Sequence, residues 1–311
     1  MKKIVLICPY FGKLPKEYFQ LTLNSCRFNE TIDWLLITDD KTSYTYPKNV
    51  KVIYKSFEHF STEIKNKYKN QFKISISNPY KLCDFKPLYG EIFSNYIKEY
   101  DFWGYTDMTD VLYGNLRSFI TDDILNSYEK IGFLGHLTLY KNSEETNKRY
   151  RESPVLQRIL GTDKVYAFDE LGDFGIQSVY NKLNISTARI KNLYADISPL
   201  RFSFQLSLFD GEFNQFFEDY KRRIFEWKKG KLLSYCVIDK MIKQDSYGYL
   251  HFQKRSMKNN LSLKHDSFLI VPNKFIDDQN ITLKLINSVS PRKIYLQFFK
   301  LKFKALISHF R

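Results

Sequence analysis

Two short stretches hold the residue types best suited to chemistry. The first is Asp101-Phe-Trp-Gly-Tyr-Thr-Asp107-Met-Thr-Asp110, an aromatic run that ends in two carboxylates. The second is His251-Phe-Gln-Lys254-Arg255. Carboxylates at the end of a strand suit a hard divalent cation such as Mg²⁺ or Mn²⁺, and a neutral imidazole can complete a Mn²⁺ shell begun by carboxylates. A lysine three residues beyond the imidazole could reach phosphates that share the ion. The ion and Lys254 together would neutralise the charge building on a departing diphosphate, as glycosyl transfer from a nucleotide-sugar requires. The plainer readings stay open. Asp107 and Asp110 also suit a turn that caps a strand, and a histidine among aromatics is often a packed core residue.

A third group is Asp169, Glu170 and Asp173, the densest acids of the second half. If transfer inverts the anomeric centre, one of them is the general base for the acceptor hydroxyl. If transfer retains it, one stabilises the oxocarbenium-like centre or orients the acceptor. The same acids also suit a helix N-terminus, where the dipole favours negative charge. His136 reads as a structural, hydrogen-bonded histidine.

The elements that must position these residues follow from apolar patterning. Ile4–Ile7, Ile32–Thr38, Val50–Tyr54 and Phe102–Tyr105 read as strands, the first two and the last as near-continuous apolar runs of the kind buried on both faces. Segments near 16–27, 57–70 and 91–98 read as helices between them. The alternation predicts a parallel α/β sheet with right-handed crossovers over the first 115 or so residues, and open sheets of this kind bind ligands beyond the carboxyl ends of their strands. Further on, Asn115–Tyr128 reads as a helix, Ile131–Tyr140 as one strand, and 143–160 as polar helix. A helix is expected from about Ile176, and a hairpin about Lys228-Lys-Gly-Lys231. Tyr247–Arg255 reads as a short aromatic strand ending in a basic turn. The expected division is a nucleotide-sugar half over 1–115, an acceptor and catalytic half over 116–290, and a basic amphipathic tail over 291–311.

Taken together, Pro9-Tyr-Phe-Gly, Ile37-Thr-Asp-Asp, Pro79-Tyr-Lys-Leu-Cys-Asp-Phe-Lys-Pro, Trp103-Gly-Tyr-Thr-Asp and His251-Phe-Gln-Lys-Arg resemble a largely uncharacterised family of bacterial GT-A-type glycosyltransferases from capsule and O-antigen polysaccharide gene clusters. More distantly, the acidic strand end with a downstream His-Phe…Lys is similar to metal-dependent retaining galactosyltransferases and glycogenin-like enzymes. The resemblance implies a GT-A-like, Rossmann-like mixed sheet, mostly parallel and flanked by helices, with a UDP-sugar donor and Mn²⁺ or Mg²⁺ at Asp107, Asp110 and His251. It implies Tyr10, Phe11 and Asp39 at the nucleotide, Lys81, Asp84 and Lys86 towards donor sugar or phosphates, and Lys254 with Arg255 at the diphosphate. Asp169 and Glu170 of the third group, with Lys254, are the expected catalytic set. The usual acidic motif of that family is Asp-x-Asp. Here an extra residue separates Asp107 from Asp110, so a turn or bulge must return Asp110 towards the ion.

The net charge of +14 suggests an anionic partner. No C2H2 pattern, aromatic RNA-binding signature or Arg-rich helix occurs, so nucleic acid is not the expected partner. The four cysteines are scattered without a CxxC pair, which suggests neither zinc nor a disulfide framework. The N-terminal apolar run is too short for a signal peptide, and no stretch approaches a membrane span of ~20 apolar residues. The tail from Pro291 carries Lys and Arg without an acid, a pattern suited to an anionic bilayer surface. The expectation is a peripheral protein of the cytoplasmic face of the inner membrane, acting on a lipid-linked glycan. Two rivals are a metal-dependent sugar-phosphate transferase and a non-catalytic glycan- or membrane-binding protein.

Overall fold

The structure is a computed structural model that describes residues 1–253, 255–262, 266–293 and 299. The chain is mixed α/β and forms two compact units. The first comprises Met1–Thr109 with Ile120–Lys191, and the second comprises Asp110–Phe119 with the chain from Asn192 onward. The chain therefore passes between units three times, whereas the expected division placed its boundaries after residues 115 and 290.

In chain order the strands of the N-terminal stretch are β1 (Ile4–Tyr10), β2 (Ile32–Thr38), β3 (Val50–Tyr54) and β4 (Phe102–Thr106). They are parallel and ordered β3-β2-β1-β4, so chain direction across the sheet reverses at β1. Every residue of β4 is buried, which explains why its sequence is apolar or aromatic up to Thr106. β5 (Val111–Tyr113) follows and belongs to the second unit. β6 (Lys130–Leu134) and β7 (Leu137–Lys141) form an antiparallel pair that extends the first sheet through β4, and β8 (Thr187–Ala188) closes its far edge. The core of this unit is aromatic: Trp103 stacks on Tyr140 with centroids 4.7 Å apart, and Tyr105 and Tyr180 pack against the same ring.

Three expectations are corrected here. Ile131–Tyr140 is a hairpin rather than one strand, because the backbone turns at Gly135–His136 and its register shifts between Ile131 and Leu134. Within Asn115–Tyr128 the only α-helix is Asp122–Ser127, capped by the Thr121 side chain on the amide of Ile124. The helix expected after Gly90 is short: a ten-residue 3-10 helix, Pro79–Leu88, runs into the single turn Tyr89–Ile92.

One buried cation of this unit does no visible chemistry. The Lys130 ammonium donates to the Gly132 carbonyl (2.8 Å) and the Gln177 side-chain oxygen (2.6 Å). Burial pulls its pKa well below the ordinary lysine value. A lysine amine that is harder to protonate in the fold costs stability below its unfolded pKa, and that cost vanishes as pH rises through that pKa. Lys130→Met is therefore expected to raise the denaturant midpoint at pH 7, with the advantage over the parent shrinking steadily towards about pH 10. A difference that does not change with pH would rule this account out.

The second unit is chiefly antiparallel, which the mostly parallel expectation did not cover. β9 (Tyr194–Ile197), β10 (Leu206–Phe209) and β11 (Gln215–Phe217) form a sheet with β5 and a later strand. β12 (Arg223–Lys228), β13 (Lys231–Ile238) and β14 (Met241–Tyr247) are a meander whose first turn is the expected Lys228–Lys231 hairpin. β15 (Tyr249–His251) inserts between β9 and β5. β16 (Lys258–Asn260), β17 (Ser267–Val271) and β18 (Lys274–Asp277) complete the meander's sheet. Buried Trp227 stacks on Phe268 and donates its indole N–H to the Tyr113 carbonyl at 2.8 Å, which ties the two sheets of this unit together. Most of the expected basic tail lies outside the described residues. Among those described, no helix is long and apolar enough to cross a membrane.

Candidate functional site

In the second unit, the chemistry gathers on the short strand β15. Its backbone pairs on both sides, Leu250 opposite Leu112 and Ala195, and His251 opposite Val111 and Asp196. Gly248 sets this register. Its amide donates to the Asn192 carbonyl and its carbonyl accepts from Gly114, and a Cβ there would stand 2.6 Å from the Leu193 carbonyl oxygen. Side chains directly opposite on paired strands share a face. His251 therefore meets Asp196, with Nδ1 2.7 Å from Asp196 Oδ1, while Nε2 lies 3.4 Å from Asp110 Oδ2. Gln253, held at a positive φ of 52°, donates its side-chain amide to the other Asp196 oxygen at 2.8 Å. The Asp110 carbonyl accepts from the Phe252 amide, so the backbone fixes the acid beside the imidazole.

Burial opposes a charged His251, but the carboxylates of Asp110 and Asp196 outweigh it and push the imidazole pKa up to about 10. The two acids thus favour the charged form of the imidazole between them. The arrangement fits a divalent cation. Asp196 fixes Nδ1 and aims Nε2 at a carboxylate, and a carboxylate or carbonyl behind a ligating histidine is the usual support for a bound metal. One carboxylate oxygen with one imidazole nitrogen suits Mn²⁺ better than Mg²⁺.

In the first unit, Asp107 follows directly on β4, at the carboxyl edge of the parallel strands where chain direction across the sheet reverses. Its amide donates to the His136 carbonyl. Lys86 reaches it from the 3-10 helix: the ammonium is 2.9 Å from Asp107 Oδ1, 2.9 Å from Asp169 Oδ2, and donates to the Gly135 carbonyl at 2.8 Å. Burial works against the Lys86 charge, but the two acids more than restore it and leave its pKa well above the ordinary value. Burial raises the Asp169 carboxyl above its usual range against the pull of Lys86. Gly135 is needed for this approach, because a Cβ there would lie 2.5 Å from Asp169 Oδ2.

The sequence matches a family of unknown function, DUF6625, over residues 6–279. The chain belongs to the DUF6625 family. No curated protein matches its sequence. Among solved structures, the DUF6625 chain is similar to mouse xyloside xylosyltransferase 1 in its apo form, at 10% identity and a TM-score of 0.38, over 64% of this chain and 88% of that one. A likeness at that score decides neither fold nor activity.

Several sequence-predicted positions of this DUF6625 chain are occupied otherwise than expected. Lys81 and Asp84 are neither a solvated face nor open to a ligand. They form a fully buried ion pair at 2.7 Å, in which Lys81 donates to the carbonyls of Ile159 and Lys164, and Asp84 accepts from the amides of Tyr166 and Phe168. Together they pin the loop that carries Asp169. Phe11 packs into the core against Phe57 and Phe60 rather than standing open to a base, while Tyr10 is half-buried with its hydroxyl on the Lys13 carbonyl. Asp39 accepts from the Gly12 amide and so joins the ends of β1 and β2. Glu170 is exposed. Lys254 lies outside the described residues.

Arg255 was expected at a diphosphate. It is buried instead and donates to the carbonyls of Ser198, Arg201, Phe202 and Ser203 and to the Asn273 side chain. Lysine cannot reproduce this fan of donors. Arg255→Lys is therefore expected to speed amide exchange over 198–205 with metal affinity little changed; unaltered exchange there would refute the loop-fixing role.

Sequence reasoning missed Asp196 and Gln253. Asp196 was legible in principle: an acid between Ala195 and Ile197 in an apolar stretch is a buried charge that needs a partner.

Proposed function

We propose that this protein is a metal-dependent glycosyltransferase of GT-A type, moving a hexose from a UDP-sugar to a lipid-linked surface glycan, with galactose the first sugar to test. The reading is carried by one observation: an imidazole locked by strand register between Asp110 and Asp196. In it, Asp110 and His251 are the ion's protein ligands and Asp196 holds the imidazole in its binding orientation. Asp107 is kept as the acid at the end of β4 in the first unit. A Mn²⁺ or Mg²⁺ ion bound there would supply Lewis-acid charge for the diphosphate leaving group. Lys86 and Asp169 act as positioning residues that hold Asp107. Glu170, the exposed acid of its loop, is assigned to the acceptor hydroxyl, and Lys254 to the diphosphate. The basic tail is assigned to the anionic inner-membrane surface where such acceptors sit.

The test is a donor panel of UDP-hexoses, with and without Mn²⁺, read by thermal shift and by nucleotide release. Mn²⁺-dependent stabilisation by a UDP-sugar, with release of UDP, is the expected result. Release of UMP would instead favour a sugar-phosphate transferase. No nucleotide affinity under either condition would end the enzymatic reading.

A further inference from the structure

The second unit also holds a cleft of about 530 Å³ whose charge is all of one sign, and apart from Arg292, at the start of the basic tail, nothing in the proposed function uses it. It is lined by Tyr220, Lys221 and Arg222 ahead of β12, by Val237 and Lys240 at the β13–β14 turn, by Leu283 and Asn287 of the helix Leu283–Val289, and by Arg292. Four of these eight residues are cationic and none is acidic.

The cations are only partly neutralised. Arg222 donates to the Asn287 side-chain oxygen at 2.5 Å, a neutral partner that aims the guanidinium without cancelling its charge. Arg292 lies over the Tyr220 ring at 4.9 Å, and the Tyr220 hydroxyl donates to the Pro291 carbonyl. Lys240 stands in the left-handed region at φ 60°, so the turn places it rather than a partner. Lys221 is 3.2 Å from Glu218, but both oxygens of that carboxylate already accept from Arg223 at 2.8 Å. One negative charge thus faces two cations beside the cleft. Among the described residues, Arg222, Lys240 and Arg292 have no carboxylate partner.

Bringing like charges together over a pocket of small-molecule size costs free energy unless an anion offsets it. Guanidinium groups braced by neutral contacts are suited to the oxygens of a phosphoryl group, which they hold by paired charge-assisted hydrogen bonds. Val237 and Leu283 add an apolar wall on the same cleft.

We infer that this cleft is a binding site for a phosphoryl anion, held by Arg222, Arg292, Lys240 and Lys221. The phosphoryl group could belong to a soluble diphosphate or to a lipid headgroup, and the test separates the two. The full chain is titrated with inorganic pyrophosphate in the presence of EDTA at low ionic strength. It is also sedimented with vesicles of phosphatidylcholine alone or with one-third phosphatidylglycerol. The variants are Arg222→Ala/Lys240→Ala, both on the cleft rim, and Lys274→Ala as an exposed cation elsewhere in the unit.

The expected result is that the double variant weakens pyrophosphate binding about tenfold or more, while Lys274→Ala matches the parent. Loss of anionic-vesicle binding in the double variant, with no pyrophosphate binding by the parent, supports the same site with a lipid headgroup as its source. Equal behaviour of parent and double variant towards both probes overturns the inference. A double variant that fails to fold by circular dichroism is replaced by Lys240→Ala alone, with the same two criteria. The outcome is independent of the metal and of UDP-sugar turnover, so it stands or falls apart from the proposed reaction.

Discussion

Replacing His251 by glutamine is expected to remove Mn²⁺-dependent UDP binding and to lower turnover about 10²–10³-fold, the scale of losing one preorganised electrostatic contact at a reacting centre. Glutamine keeps a neutral hydrogen-bonding group between Asp110 and Asp196, where alanine would leave two carboxylates facing across a gap. Glutamine carries no charge to offset the two acids, so some stability is lost with the metal affinity, and the affinity is read on protein shown to be folded. Asp196→Asn supplies the graded arm. It keeps the shape of the side chain but weakens the support behind the imidazole, and the expected cost is about 10–100-fold in metal affinity. Titration calorimetry with Mn²⁺ on both variants, next to far-UV circular dichroism, decides the matter. Parent-like Mn²⁺ affinity in His251→Gln would remove the imidazole from the site altogether.

The second large effect is on stability and belongs to the first unit. Lys86→Met should cost about 3–5 kcal/mol at neutral pH, because it strips the ammonium from a cluster in which Asp169 is buried and Asp107 lies on the same ammonium. Without Lys86, burial raises the Asp169 carboxyl further. A carboxyl whose folded pKa is raised destabilises above its unfolded pKa, and the penalty is relieved as pH falls towards the ordinary carboxylate range. The Lys86→Met deficit should shrink between about pH 7 and pH 4, and Lys86→Met/Asp169→Asn should recover part of it at pH 7. Denaturant midpoints across that range test both statements. A neutral-pH deficit under about 1 kcal/mol would show that the cluster is solvated and unimportant to the fold.

The legible parts of the chain were those where one period dominates. The strands β1 to β4 are dominated by apolar residues, and their parallel pairing was expected from alternation with helical segments, though not their order. The second unit was harder to read. Strands such as β9 and β15 have four and three residues, too few to show a period, and they acquire their pairing only from partners far along the chain. Asp110 and His251 were read as a pair from residue chemistry, and the second unit does bring them together; Asp196, which decides how the imidazole points, lay in one of those short strands. Lys81 and Asp84 were misjudged for the reverse reason. Their polar sequence suggested exposure, whereas each buries its charge against the other and against loop carbonyls and amides. Arg255 was assigned by its neighbours in sequence, and its neighbours in space are backbone carbonyls.

The pairing of β15 with a strand on either flank gives the Gly248–His251 segment a parity. Adding or deleting one residue there would exchange odd for even positions, turn the ring of residue 251 to the opposite side of its sheet, and offer Leu250 to the two acids instead. A change of two residues would keep the ring on its side but carry it about 6–7 Å along the strand, out of reach of both. Drift in the length of this segment should therefore be far less tolerable than drift in the identity of Tyr249 or Leu250, and natural variants with a longer or shorter segment here would have surrendered the imidazole's partners.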